Sequence, residues 1–208
     1  MYDRNTDTLW HQLWGTPAFG PLVGSGIELE RLPVTLTTWE AWYAAHPETK
    51  VMAFETGFVR DYNVGAAYAE YFASPETMFP VWQRSNLLPT KSWVFTQLIN
   101  NQPKAYPLAV LEQQLVINDT LAGQNLVIIY DDGGLGARAY ERADRRFTLA
   151  TAGTTGTILD ETGIEWQVTE EALVGPDGTQ LARLPGHMAY WFGWFSFYPQ
   201  TAIYGLSE

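Results

Sequence analysis

Arg60-Asp61-Tyr62 sets a guanidinium, a carboxylate and a phenol side by side, a group able to hold a polar ligand through charge-assisted hydrogen bonds. The same residues can instead form an Arg–Asp pair that pins a loop, because structural ion pairs are common. Nearer the N-terminus, Trp10 and Gln12 offer a ring face and a neutral amide, suited to one wall of a cleft. Trp10, Gln12, Arg60, Asp61 and Tyr62 are therefore the expected ligand-binding residues.

Other chemistries find less support. The three histidines, His11, His46 and His187, have none of the HxH, HxxxH or HExxH spacings, so no metal or other cofactor is expected. His46 falls at the end of an expected helix, where an imidazolium suits the helix dipole. Cysteine is absent, which removes disulfides, thiolate metal sites and a cysteine nucleophile. Asp131-Asp132-Gly133-Gly134 lacks the alternating oxygen ligands and closing glutamate of a calcium loop and reads as a tight hairpin turn. Gly133-Gly134-Leu135-Gly136 lacks the lysine and hydroxyl of a phosphate loop. No Gly-x-Ser-x-Gly elbow occurs, while the 23 acidic residues leave paired carboxylates open, since their pairing is spatial. No catalytic residue is assigned.

Composition narrows the partners. A formal charge of −11 and only three lysines argue against a nucleic-acid surface, which needs clustered Lys and Arg. No apolar run reaches the length of a membrane-spanning helix, and the opening residues Met1 to Thr6 are polar. With 46% hydrophobic and 17% charged residues the chain is of soluble globular type. Its nine tryptophans can anchor small cores, and 12 prolines and 18 glycines spread along it favour many short elements.

The elements are organised by a repeat. Leu29-Glu30-Arg31-Leu32-Pro33 recurs as Leu181-Ala182-Arg183-Leu184-Pro185, an offset of 152 (181 minus 29). At that offset Trp39 meets Trp191, Trp42 meets Trp194, Pro47 meets Pro199 and Thr49 meets Thr201, giving 8 identities over the 23 positions 29–51. Upstream, with a shifted register, Thr6 and Trp10 match Thr162 and Trp166, and Gly20-Pro21 matches Gly175-Pro176. Each copy reads as a polar turn, a tryptophan-bearing strand, a glycine turn, a strand ending in Leu-x-Arg-Leu-Pro, and a short helix. In the first helix Thr38 is the N-cap, Trp39 and Trp42 share a face, and Pro47 stops the helix at His46. In the second, Tyr190 to Phe197 is apolar almost all round and is expected to be buried on more than one side. Both aromatic stripes are expected to be core.

Between the copies, Gly65 to Phe72 is expected to be a short helix, and Ser74-Pro75, Phe79-Pro80 and Leu88-Pro89 mark loops. Strands are expected at 93–98, 104–106, 115–118, 126–130, 137–142 and 146–150, the Val/Ile-rich 126–130 being central. The fold class is thus α+β, predominantly β, with internally duplicated strand–turn–strand–short-helix units in pseudo-symmetry. Residues 1–103 hold the first, incomplete repeat with its connection, and 104–208 the complete second repeat, in one compact unit. The second unit is preceded by the extended block 104–150 and the first by nothing comparable. The first unit is therefore expected either to borrow strands from 93–130 or to present an open edge to an upstream segment or a partner chain.

Tyr2-Asp3-Arg4-x-Thr6-x-x-Leu9-Trp10-x-Gln12, Gly20-Pro21, His46-Pro47 and Thr56-Gly57-Phe58-x-Arg60-Asp61-Tyr62 together resemble domain-of-unknown-function family 3179. Lys104-Ala105-Tyr106-Pro107, Asn118-Asp119 and the block from Trp191 to Thr201 extend the resemblance over nearly the whole chain. It implies bacterial or archaeal relatives, some labelled (seleno)proteins, and an extracytoplasmic location, but no activity. In similar members a Cys-Pro-x-Cys-Gly segment precedes the Tyr-Asp-Arg start, and this chain looks like the portion that follows it. The leading functional expectation is a non-catalytic binding or interaction module with a small-molecule or protein partner. The alternative is an enzyme, or a redox- or metal-related module, whose reactive cysteine segment lies upstream.

Overall fold

In the computed structural model, which describes residues 1–63, 65–131, 136–152 and 154–206, strands dominate. The chain opens with β1 (Tyr2–Asp3), β2 (Thr8–Trp10) and β3 (Pro17–Phe19), a three-stranded antiparallel sheet. Asp3 builds its first turn, accepting hydrogen bonds from the Asn5 N–H at 2.9 Å and the Thr6 hydroxyl at 2.6 Å.

Between residues 20 and 92 the described regular elements are two short helices, α1 (Trp39–Ala45) and α2 (Ala69–Ala73). Thr38 caps α1, its Oγ1 accepting from the Ala41 N–H at 3.2 Å, and the helix stops at His46 before Pro47. The helix expected over 65–72 forms later and shorter, as the five residues of α2. The strand expected to end at Leu29-Glu30-Arg31-Leu32-Pro33 does not form. The Leu29 N–H reaches the Gly15 carbonyl at 2.8 Å, but no second strand runs along the segment to continue a ladder.

The rest of the fold is continuous β structure. Here β4 (Trp93–Ile99), β5 (Gln102–Pro107), the single turn α3 (Leu108–Leu111), β6 (Val116–Leu121), β7 (Gln124–Asp131), β8 (Gly136–Glu141) and β9 (Thr148–Thr151) follow one another. Next come β10 (Thr154–Leu159), β11 (Glu165–Val168), β12 (Ala172–Val174), β13 (Gln180–Leu184), β14 (Gly186–Tyr190), α4 (Trp191–Phe197) and β15 (Ala202–Ile203). They form an eight-stranded sheet, β6-β7-β8-β13-β12-β11-β10-β9, and a four-stranded sheet, β14-β4-β5-β15, in which β15 runs parallel to β5. The strands expected from 93 to 150 thus fall on β4 to β9, with ends shifted by a few residues. The turn expected at Asp131-Asp132-Gly133-Gly134 lies, beyond Asp131, outside the described residues.

β7 shows how the layers are built. Leu126 and Ile128 enter a core with Phe95, Tyr106 and Leu111, while Val127 and Ile129 enter another with Phe147, Trp166 and Leu173. A strand buried on both faces reads as an unbroken apolar run, which is what 126–129 is. A third core lies under the four-stranded sheet, where Val94, Ala105 and Ile203 cover Trp191, Trp194 and Tyr198.

α1 and α4 share local geometry. Each has seven residues and ends on a cap of nearly equal φ, −133° at His46 and −131° at Tyr198. The Trp42 indole donates to Thr49 Oγ1 at 2.9 Å, and the Trp194 indole to Thr201 Oγ1 at 2.8 Å. Their surroundings differ: Trp191 and Trp194 are 1% and 2% exposed, Trp39 and Trp42 53% and 38%. The aromatic stripe expected as core in both helices is core only in α4. Nor does the first unit borrow strands from 93–130. β4 and β5 pair with each other and with β14 and β15, and β6 and β7 pair within the large sheet.

Candidate functional site

A cleft of about 500 Å³ opens where the N-terminal segment crosses the four-stranded sheet. Gln12, Leu13, Gly15, Val34 and residues 29–32 form one wall; Thr96, Leu98, Pro185 to Met188, Trp194 and Tyr198 form the other. Three hydrogen bonds hold the walls in place. The Val34 N–H donates to the Gly186 carbonyl at 3.2 Å, the Tyr198 hydroxyl to the Leu13 carbonyl at 3.0 Å, and the Leu29 N–H to Gly15 as noted. Two glycines are required. Gly15 turns the chain at φ 71°, in the left-handed region. At Gly186 a Cβ would stand 2.6 Å from the Phe95 ring and 3.0 Å from the Thr96 carbonyl, so only glycine lets β14 lie this close to β4.

The polar groups of the cleft are unevenly satisfied. Arg31 donates from Nη2 to Glu28 Oε1 at 2.9 Å, an exposed pair, while its Nε is buried without a partner. His187 stacks edge-on against Trp194 with ring centroids 5.9 Å apart. Its Nδ1 lies 3.4 Å from Thr96 Oγ1, and its Nε2 is buried without a partner. Burial, and then the Arg31 cation, push the His187 pKa down, so the ring is mostly neutral near pH 7. The Thr96 hydroxyl is buried and lies 3.0 Å from the His187 carbonyl, which it serves as donor. Glu30 also borders the cleft.

A second polar cluster ties the same N-terminal segment to the large sheet. Glu170 accepts from Arg138 Nη2 at 2.5 Å through Oε1 and from Arg183 Nη1 at 2.6 Å through Oε2. Thr35 Oγ1 donates to Glu170 Oε2 at 3.2 Å and receives Arg183 Nη2 at 2.5 Å. Burial pushes the Glu170 carboxyl up, but the two guanidinium groups outweigh it and hold the pKa below the ordinary range.

Of the five residues expected from sequence, Gln12 lines the cleft. Trp10 is half-buried in β2 and does not line it. Arg60, Asp61 and Tyr62 are exposed on a loop outside it. Asp61 Oδ1 accepts from the Asn63 N–H at 3.0 Å and its side-chain amide at 2.7 Å, and the Tyr62 hydroxyl lies 2.8 Å from Thr56 Oγ1. Arg60 and Asp61 make no ion pair among the described contacts, so neither the ligand set nor the pinning pair expected of this trio is assembled. Arg31 and Thr96 were not singled out from sequence, and His187 was weighed only as a metal ligand. The repeat carried a signal for two of them, because Arg31 pairs with Arg183 and His187 with Thr35 at the offset of 152.

Among the described residues no three His, Asp or Glu side chains converge as a metal site, and no helix is long and apolar enough to cross a membrane. Residues 1–201 match a family described as "Protein of unknown function (DUF3179)". No curated protein and no solved structure matches the chain.

Proposed function

We propose, for a chain that belongs to this family of unknown function, a non-catalytic binding module that holds a small molecule in the cleft between its N-terminal segment and the four-stranded sheet, within a pseudo-symmetric arrangement of two units. The observation that carries the reading is the cleft itself. Its volume, about 500 Å³, falls inside the range of about 300–1,000 Å³ usual for small-molecule sites, and its walls are largely apolar with a few inward polar groups. Buried polar atoms normally have partners, and Arg31 Nε and His187 Nε2 have none. A bound ligand would satisfy them.

The pseudo-symmetric arrangement is supported by the paired caps and indole–threonine bonds of α1 and α4, and by the Val34–Gly186 hydrogen bond. These two residues stand at equivalent positions (34 plus 152 is 186). Binding is favoured over catalysis by the one hydroxyl–imidazole pair in the cleft. Thr96 Oγ1 is buried and spends its proton on a carbonyl, so it is no nucleophile facing a ligand.

The test is a fragment screen by protein-observed NMR. Hits are expected to shift Gln12, Leu98 and His187 together, and Leu98→Trp, which fills the cleft, should abolish those shifts. A ligand at a hundred times its Kd should raise unfolding stability by about 2.7 kcal/mol. Hits that bypass these residues, or that bind Leu98→Trp unchanged, would overturn the reading.

A further inference from the structure

Resting on that cleft reading, we infer that the ligand is a small organic acid whose carboxylate sits on Arg31 as the Glu170 carboxylate sits on Arg183. The inference comes from comparing the two equivalent arginines. Arg183 and Thr35 meet across the halves, and both hold one oxygen of Glu170. Adding or subtracting 152 turns that pair into Arg31 and His187, which meet across the cleft. Where Arg183 Nη1 has a carboxylate at 2.6 Å, Arg31 Nη1 has no partner among the described contacts. Where Thr35 Oγ1 donates to that carboxylate, His187 in its Nε2–H tautomer offers Nε2, buried and unpartnered, as the donor.

The structure thus offers a carboxylate position with a guanidinium and an imidazole around it. The Glu28 pair leaves the other Arg31 donors available, and a planar carboxylate is the group that fits a guanidinium edge. A single charge of this shape matches the one guanidinium, so it is preferred over a polyanion. The apolar wall made by Leu98, Met188 and Trp194 then takes the body of the acid.

The experiment compares 3-phenylpropanoate with its neutral isostere 3-phenylpropanamide by calorimetry, on the whole chain and on Arg31→Leu, Arg31→Lys and Leu98→Trp. The acid is expected to bind about tenfold or more tighter than the amide, as loss of a charge-assisted hydrogen bond implies. Arg31→Leu should erase that difference, weakening the acid far more than the amide, Arg31→Lys should restore part of it, and Leu98→Trp should remove binding of both. If acid and amide bind equally, and both are lost in Leu98→Trp, the carboxylate assignment is wrong and the cleft reading stands. If neither binds, or both bind Leu98→Trp as well as the wild-type chain, the two fail together.

Discussion

Asp160 carries more of the fold than its surface-turn sequence suggests. Its Oδ1 accepts from the Thr162 N–H at 2.9 Å, the Thr162 hydroxyl at 2.6 Å and the Ile164 N–H at 3.1 Å, and its Oδ2 from the Trp166 indole at 3.2 Å. Burial pushes this carboxyl up, but those donors outweigh it and bring the pKa down to about 2. Asp160→Ala strands a buried indole N–H and two turn amides, and should cost about 2–4 kcal/mol in urea unfolding at pH 7. The sign of the pH effect follows. A carboxyl lowered in the folded state stabilises fully above the unfolded value of about 3.9, and the contribution is lost as pH falls through about 2. The acid limb of the stability curve should therefore be shallower in Asp160→Asn than in the wild-type chain. The turn was legible in the sequence, since Asp-x-Thr-Gly is a turn-forming string. The burial of its aspartate was not, because that depends on where Trp166 lands.

α1 and α4 make a controlled comparison at the scale of the element. The same seven-residue length, C-terminal cap and indole–threonine bond recur, so these features belong to the local sequence. Burial does not recur, so it belongs to what each helix lies against. Trp194→Ala should then cost about 3–5 kcal/mol, the usual figure for a large buried ring, and Trp42→Ala no more than about 1 kcal/mol. Equal losses, measured by denaturant midpoints, would contradict this difference in burial. The strands from 93 to 150 were legible for a similar reason: period and β-branched content are local, and 126–129 is apolar throughout. The segment 29–33 misled because its twin, 181–185, is strand only through β8 and β12 on either side. The cleft was half legible. Gln12 was read from its neighbourhood to Trp10, whereas Arg31 and His187 meet only through chain crossing near Val34 and Gly186.

At the scale of the whole molecule the residues divide unequally. The described cores draw almost wholly on the chain from Val94 onward, while Val51, Met52, Phe54, Phe58, Val59, Phe79 and Trp82 are all exposed. Few buried contacts mean a low free energy of local opening. Amide hydrogen exchange should accordingly be slowest in β7 and fast through 50–88, and protection there equal to that of β7 would contradict the division. The tryptophans inherit the same split, with an optical consequence. Trp14, Trp39, Trp42 and Trp82 face solvent, whereas Trp166, Trp191 and Trp194 are enclosed by the C-terminal cores. Iodide, which quenches only rings it can touch, removes the first group's emission and leaves the second's. Under iodide the residual fluorescence becomes a natural dye weighted to the C-terminal cores, with half-buried Trp10 and Trp93 as its minor contributors.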